Sequence, residues 1–330
     1  MMPVVPIRAL LACLLCTALA AAHGASGTPL VYTYSHGDEW FASRGLVIDD
    51  GKQVTIVGAT SSYTSARRLI ATVRRSTSSA IQRVILDSSR PGAAGGIAAF
   101  AEEGIDIWAS RRVERGLRET FPYYAAKRGD PHGSILRAAR TPITTFDERM
   151  SFQLTASGAI EVIDLPHGCN ANGNSMVRLR TDRPITYVGS LVQAQHHPWL
   201  SGPISDGLPM ADLPAWRHCI QLLREAGQFE HEWYTDEGDQ GSGDGKVAAF
   251  IEYLDFVEGS LQKVFADRLH ARQSFNFASL PSLAAELAAA IARRFPERRG
   301  DLADLHRALI EVLHAEVVRR TERGLLGPRA

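Results

Sequence analysis

Residues 84–96 of the chain read Val-Ile-Leu-Asp-Ser-Ser-Arg-Pro-Gly-Ala-Ala-Gly-Gly. The stretch begins with apolar residues that favour a short buried strand. A polar loop that contains Pro91 follows, and two adjacent glycines then stand at the start of a helical pattern. The stretch therefore predicts a strand, a loop and a helix that runs over residues 95–103.

Residues 84–96, which we call the frame, resemble the zinc-binding motif of the metallo-β-lactamase superfamily, His-x-His-x-Asp-His-x-Gly-Gly. The four ligand positions of the motif are occupied here by Ser88, Arg90, Gly92 and Ala93. None of these side chains is a good zinc ligand, and Arg90 brings a fixed positive charge to the place of a dication. The resemblance implies the fold of the superfamily without its usual metal chemistry.

Further landmarks of that superfamily follow in the same order along the chain. Asn170 stands at a histidine ligand position, Ser190 at the position of the bridging aspartate, and Glu237 in the loop before a long helix, at the last histidine position. The resemblance covers roughly residues 29–268. It implies an α/β fold, the αββα metallo-β-lactamase-like sandwich, over residues 26–270, with a helical tail over residues 271–330.

The resemblance leaves two functions open. Members of the superfamily hydrolyse β-lactams, thioesters, lactones and phosphoesters with a zinc-activated water. Since only Glu237 among the replaced ligands could bind a metal well, we expect no zinc and no other cofactor. The first function is that of a non-catalytic pseudoenzyme, which binds a small-molecule ligand or a protein partner in the former active-site cleft. The alternative is a hydrolase of the ester, thioester or lactam class that works metal-free or with a relocated metal.

Several polar residues beside these positions are candidates for a new site. His167 and Cys169 could bind a metal or supply an activated thiolate, although a packed polar loop explains the same pattern. His196 and His197 could hold a relocated metal, but adjacent residues on an extended segment point to opposite sides. A loop that lines the mouth of the pocket is the simpler interpretation.

Arg90 has two interpretations of its own. It could clamp a carboxylate or a phosphate, because a guanidinium recognises such groups with two parallel hydrogen bonds. Alternatively, it could pair with Asp87 or Glu237 and plug the vacated metal site. The sequence does not decide between a clamp and a plug.

Composition narrows the classes of function. The chain has 330 residues with 36 Lys and Arg against 36 Asp and Glu, and 45% of its residues are hydrophobic. Zero net charge without a long run of one sign argues against a nucleic-acid-binding protein. The composition is that of a globular protein with a sizeable core.

The first 25 residues have the pattern of a signal peptide. Arg8 precedes an apolar run over residues 9–22 that is too short to span a bilayer comfortably, and small residues follow as cleavage sites. We therefore expect a secreted or periplasmic protein without a transmembrane segment in the mature chain; Leu-Leu-Ala before Cys13 leaves a lipoprotein signal as an alternative. Cys169 and Cys219 remain after cleavage, either as a disulfide or as two separate thiols.

The tail has apolar residues at helical spacing in two segments, separated by residues 296–300. This pattern predicts an αα-hairpin. Its apolar faces could pack on the body of the protein or on a second copy, in a homodimer.

Overall fold

The computed structural model describes residues 28–37, 42–128, 130, 133–155, 157–166, 169–200, 202–205, 208–236, 238, 240–270 and 277–323. Within these residues, two six-stranded β-sheets face each other, and helices cover the outer face of each sheet. This four-layer arrangement is the αββα sandwich that the sequence predicts. The predicted signal peptide lies outside the described residues.

The first sheet joins an antiparallel hairpin to parallel strands. Its order is β1-β2-β3-β4-β5-β6, with antiparallel pairing from β1 to β3 and parallel pairing from β3 to β6. The strands are β1 (Leu30–Gly37), β2 (Ala42–Asp49), β3 (Gln53–Val57), β4 (Ala80–Ile85), β5 (Asp106–Ser110) and β6 (Thr144–Phe146). In the turn between β2 and β3, Asp50 N–H donates to the Gln53 carbonyl at 3.1 Å, and Gly51 adopts a φ of +87°. A glycine suits this turn because other residues rarely adopt such a φ.

Helices on the outer face of the first sheet fill its core layer. They are α1 (Tyr63–Ser76), α2 (Pro91–Ala94), α3 (Ile97–Glu102), α4 (Arg111–Arg128) and α5 (Ser134–Ala138). The side chain of Ser62 accepts a hydrogen bond from Ser65 N–H and so caps α1. One face of α1, with Leu69 and Val73, is buried against the sheet.

The second sheet has the order β14-β13-β10-β9-β8-β7. Its strands are β7 (Arg149–Gln153), β8 (Ala159–Asp164), β9 (Ser175–Arg180), β10 (Ile185–Tyr187), β13 (Glu232–Tyr234) and β14 (Gln240–Ser242); β11 (Ile204–Ser205) and β12 (Leu208–Pro209) form a separate pair. Val57 and Ile85 of the first sheet meet Val162 and Tyr187 of the second in the layer between the sheets. This layer brings the ends of β3, β4 and β10 together.

The tail packs on the body of the protein. The outer helices of the second sheet are α6 (Leu213–Glu225), α7 (Gly245–His270), α8 (Leu280–Arg294) and α9 (Leu302–Glu322). Leu287 of α8 and Leu309 of α9 belong to the same buried cluster as Phe250 of α7. The apolar faces of the predicted αα-hairpin are therefore covered by the chain's own core.

A buried arginine fastens the turn of this hairpin. Nη1 of Arg298 donates to the carbonyl oxygens of Gln193 at 2.6 Å and His196 at 2.8 Å. The guanidinium carbon lies 4.1 Å from the centre of the Tyr253 ring, which adds a cation–π contact.

Among the described helices, none is both long enough and apolar enough to cross a membrane.

The structure differs from the sequence prediction around Gly95. A single helix over residues 95–103 is predicted, whereas the chain forms the short helix α2 from Pro91 and then restarts as α3 at Ile97. Proline favours the first turn of a helix, because its missing N–H is not needed there. The helical segment therefore begins four residues earlier than the glycine pair indicates.

Candidate functional site

The glycine pair of the frame has a packing role. A Cβ atom on Gly95 would lie 2.0 Å from the carbonyl oxygen of Ser61, and one on Gly96 would lie 2.2 Å from that of Ala59. Both distances are far too short for a side chain, so the close approach of the two main-chain segments requires glycine. This requirement holds whether or not a metal is bound nearby.

Two of the four former ligand positions of the frame carry no polar side-chain atom. Gly92 and Ala93 lie in α2, and the Ala93 carbonyl accepts a hydrogen bond from Ala59 N–H at 2.6 Å. Their contribution to the site is main-chain structure that holds α2 beside the end of β3. Their side chains offer no donor atom to a metal.

Ser88, Asn170 and Ser190 lie close together in the interior. Asn170 Nδ2 donates to the carbonyl of Ser190 at 2.6 Å and to Ser190 Oγ at 3.0 Å. Asn174 Nδ2 donates to Asn170 Oδ1 at 2.9 Å and reaches Ser88 Oγ at 3.5 Å. All four residues are at most 2% exposed. We call these four residues the polar network.

The polar network supplies its own hydrogen bonds. Ser190 Oγ also lies 3.3 Å from Asn170 Oδ1, and Ser88 Oγ accepts from Arg90 N–H at 3.3 Å. Buried polar groups need such partners, because an unpaired one costs about 1–3 kcal/mol. Asn174 is a member that the motif spacing does not single out; the run of asparagines at 170, 172 and 174 is its only signal in the sequence.

Arg90 bridges two loops at the edge of the polar network. Its Nη2 donates to the carbonyl oxygens of Asn170 at 2.6 Å and Trp199 at 3.3 Å. No described carboxylate lies within salt-bridge distance of Arg90, so the expected pairing with Asp87 is not formed. Nη2 belongs to both two-nitrogen edges of a guanidinium, and both of its hydrogens are engaged. A carboxylate that bound either edge with two hydrogen bonds would have to displace a carbonyl, which disfavours a two-bond clamp in this geometry. Glu237, the other carboxylate considered for a plug, lies outside the described residues.

Asp87 is a buried carboxyl group below the polar network. It is 1% exposed, and neither of its carboxylate oxygens has a hydrogen-bond partner in another described residue. Burial raises the pKa of Asp87 to about 7, opposed by a hydrogen bond from its own main chain. A Cβ on Gly189 would lie 2.1 Å from Asp87 Oδ2, so the carboxyl group fits only against a glycine.

Helix α6 contacts the chain next to two members of the polar network: Cys169, which precedes Asn170, and Leu191, which follows Ser190. Cys219 of α6 forms a disulfide with Cys169, and the two Cα atoms are 5.5 Å apart. Trp216, one turn earlier, donates its indole N–H to the carbonyl of Leu191 at 2.9 Å. The disulfide decides a point that the sequence leaves open, and it removes Cys169 from the set of candidate thiolate nucleophiles.

The two adjacent histidines lie where the tail meets the body. His197 Nδ1 lies 3.2 Å from the Tyr253 hydroxyl, and His197 N–H donates to the Arg299 carbonyl at 2.9 Å. Burial, and then the charge of Arg298, lower the pKa of His197. His196 forms a β-bridge with Arg299. His167 and Glu237, the other two candidates, lie outside the described residues.

The described residues do not fit a zinc ion. Among them, no group of three His, Cys, Asp or Glu side chains is close enough to hold a metal. At the former ligand positions, Asn170 and Ser190 already bind each other, Ser88 Oγ accepts from Arg90 N–H, and Arg90 adds a positive charge. Catalytic zinc needs about three anionic or imidazole ligands and an open water position, which this arrangement does not offer.

Comparison with known proteins agrees with the layered architecture. No family model matches the chain, and no curated protein sequence matches it. The structure is similar to that of a metallo-β-lactamase from Pontibacter korlensis, with a TM-score of 0.52 and 17% sequence identity over 70% of this chain and 96% of the other. The chain has the metallo-β-lactamase fold.

Proposed function

We propose that this chain is a non-catalytic protein of metallo-β-lactamase fold that acts by binding a small-molecule ligand or a protein partner. The observation that carries the proposal is the polar network. Its side chains stand at three of the former metal-ligand positions, and they are buried and hydrogen-bonded to one another. A hydrolase of this fold needs an activated water at that place, and without a metal the pKa of water lies far above neutral pH.

Binding would use the solvent-facing rim of the former site. Arg90 and Trp199 are each half-buried there, and Arg90 Nη2 donates to the Trp199 carbonyl oxygen. Such a rim offers a cation and an indole, which are side chains common in binding surfaces. The buried floor would support this rim without contacting the ligand.

We also propose that the protein works outside the cytoplasm. The pattern of the first 25 residues and the Cys169–Cys219 disulfide both support this location, because disulfides persist in oxidising compartments. Attachment through a lipid at Cys13 remains the alternative form of export.

Metal content and turnover test the proposal together. The mature chain, purified without chelators, would be analysed by elemental mass spectrometry and then offered ester, thioester and lactam substrates, with a chelator-treated sample as the matched control. We expect no stoichiometric zinc, manganese or iron and no turnover above background. Stoichiometric metal with chelator-sensitive turnover would overturn the proposal and favour a hydrolase with a relocated metal.

A further inference from the structure

An open cavity of about 520 Å³ lies between α3, α5 and the segment that follows α5, and we call it the α3–α5 cavity. Its volume is within the range of about 300–1,000 Å³ that small-molecule sites occupy. The lining is mostly apolar, with Ala98 and Ala101 from α3 and Leu136 from α5. Leu136 is 40% exposed, so an apolar ligand that covered it would remove leucine surface from water, which is favourable.

Two of the charged side chains in the lining balance each other. Arg137 Nη1 lies 3.5 Å from Glu102 Oε1, and the Arg137 guanidinium carbon lies 4.9 Å from the centre of the Tyr63 ring. The Tyr63 hydroxyl donates to the second carboxylate oxygen of Glu102. The carboxylate of Glu102 is therefore engaged on both of its oxygens, and Arg137 has an anion and a ring as partners.

Arg140 is the third charged side chain among the described lining residues, and its guanidinium has no such partner. Within the described part of the chain, it forms neither an ion pair nor a hydrogen bond. Its main chain is nevertheless fixed, because Arg140 N–H donates to the Arg137 carbonyl at 3.1 Å and Arg118 donates to the neighbouring Ala139 carbonyl. The α3–α5 cavity thus combines an apolar lining with one unbalanced positive charge at a held position.

We propose that the α3–α5 cavity is a binding site for a small amphipathic monocarboxylate, whose apolar body covers Leu136 and whose carboxylate binds Arg140. A guanidinium recognises a carboxylate with two parallel hydrogen bonds. One carboxylate balances the one unpaired cation, whereas a cationic ligand would add to the positive charge. None of the residues in the lining belongs to the polar network or to the rim at Arg90, so this site is separate from the one proposed above.

Calorimetric titration of the mature chain with octanoate tests the site, with acetate and 1-octanol as matched probes. Octanoate carries both a carboxylate and an apolar body, whereas each of the other two carries one of these parts. We expect saturable binding of octanoate with a Kd below about 1 mM, and binding at least about tenfold weaker for acetate and for 1-octanol. Absence of saturable octanoate binding, or equal binding of octanoate and 1-octanol, would overturn the proposal.

Substitutions of exposed residues then locate the bound octanoate. Arg140→Gln should raise the Kd at least about tenfold, because the charged hydrogen bonds are lost, whereas Arg68→Gln, an exposed arginine of α1 outside the cavity, should leave it unchanged. Leu136→Asn should raise the Kd about threefold, and the control Leu222→Asn, at a leucine of α6 that is 41% exposed, should not. An unchanged Kd in Arg140→Gln would place octanoate elsewhere, for example at the rim of the former site, and would overturn the proposal.

Discussion

The Asp87→Asn substitution should change how the stability of the protein depends on pH. Burial raises the pKa of Asp87 from 3.8 to about 7 in the folded state. The folded state thus holds the proton more tightly than the unfolded chain does. The associated stability is fully present below pH 3.8, decreases as the pH rises, and is lost once the pH has passed about 7.

The size of the effect follows from the two pKa values. A difference of about 3 units corresponds to about 4 kcal/mol at high pH, at 1.36 kcal/mol per unit. Between about pH 5 and pH 8 the free energy of unfolding should fall by about 2.5 kcal/mol from this group alone. Asn has no carboxyl proton to lose, so the variant should lack this contribution.

Urea-induced unfolding at the two pH values measures the effect. Wild type and Asp87→Asn would be compared in the same buffers at equal ionic strength. Other titrating groups, such as His197, are common to both proteins and cancel in the difference. If both proteins lose the same stability between the two pH values, Asp87 is not a buried acid with a raised pKa, and the reasoning is refuted.

Three further tests of packing and cross-links use substitutions measured by urea unfolding. Replacing Cys169 and Cys219 by alanine should lower the free energy of unfolding by about 4 kcal/mol, because the disulfide joins residues 50 positions apart and so closes a long loop. An unchanged free energy of unfolding would contradict the presence of the disulfide. Arg298→Met should cost about 3 kcal/mol, since two buried carbonyl groups lose a charged donor, and a loss below about 1 kcal/mol would argue against this anchoring. Gly95→Ala should lower the free energy of unfolding by more than about 2 kcal/mol, because its Cβ would lie 2.0 Å from a carbonyl oxygen. The control Gly259→Ala, in an open position of α7, should raise it by about 0.5–1 kcal/mol, and equal effects of the two substitutions would contradict the packing argument.

The sandwich could be predicted from the sequence because its frame depends on local signals. The strand, loop and helix around Ser88 and the turn at Gly51 follow from apolar runs and turn residues. Strand β14 could not be predicted in the same way. Gln240, Gly241 and Ser242 have little strand propensity; the segment pairs with β13, and Gly241 packs under Trp233, where a Cβ would lie 2.5 Å from the ring. The pairing with β13, rather than local sequence propensity, therefore determines the strand conformation of this segment.

The candidate site could be predicted in position but not in detail. Motif spacing brings Ser88, Asn170 and Ser190 to one place, and the structure places them within hydrogen-bond distance of one another or of Asn174. The partners of Arg90 could not be foreseen, because they are main-chain carbonyl groups, which every residue carries. The pairing of Cys169 with Cys219 has no local signal either, since it joins a loop to a helix 50 residues away.

The glycine pair at residues 95 and 96 has a consequence for protein engineering. Its closest contacts lie with residues 59–61, whereas Asn170 bonds Ser190 and Asn174 links Asn170 to Ser88, so the scaffold and the floor of the site are built from separate contacts. Side chains of the floor can therefore be exchanged as a set without changing the contacts of the glycine pair. The same scaffold could accept a rebuilt metal centre or a new binding pocket, provided that every buried polar atom of the replacement set is again given a partner.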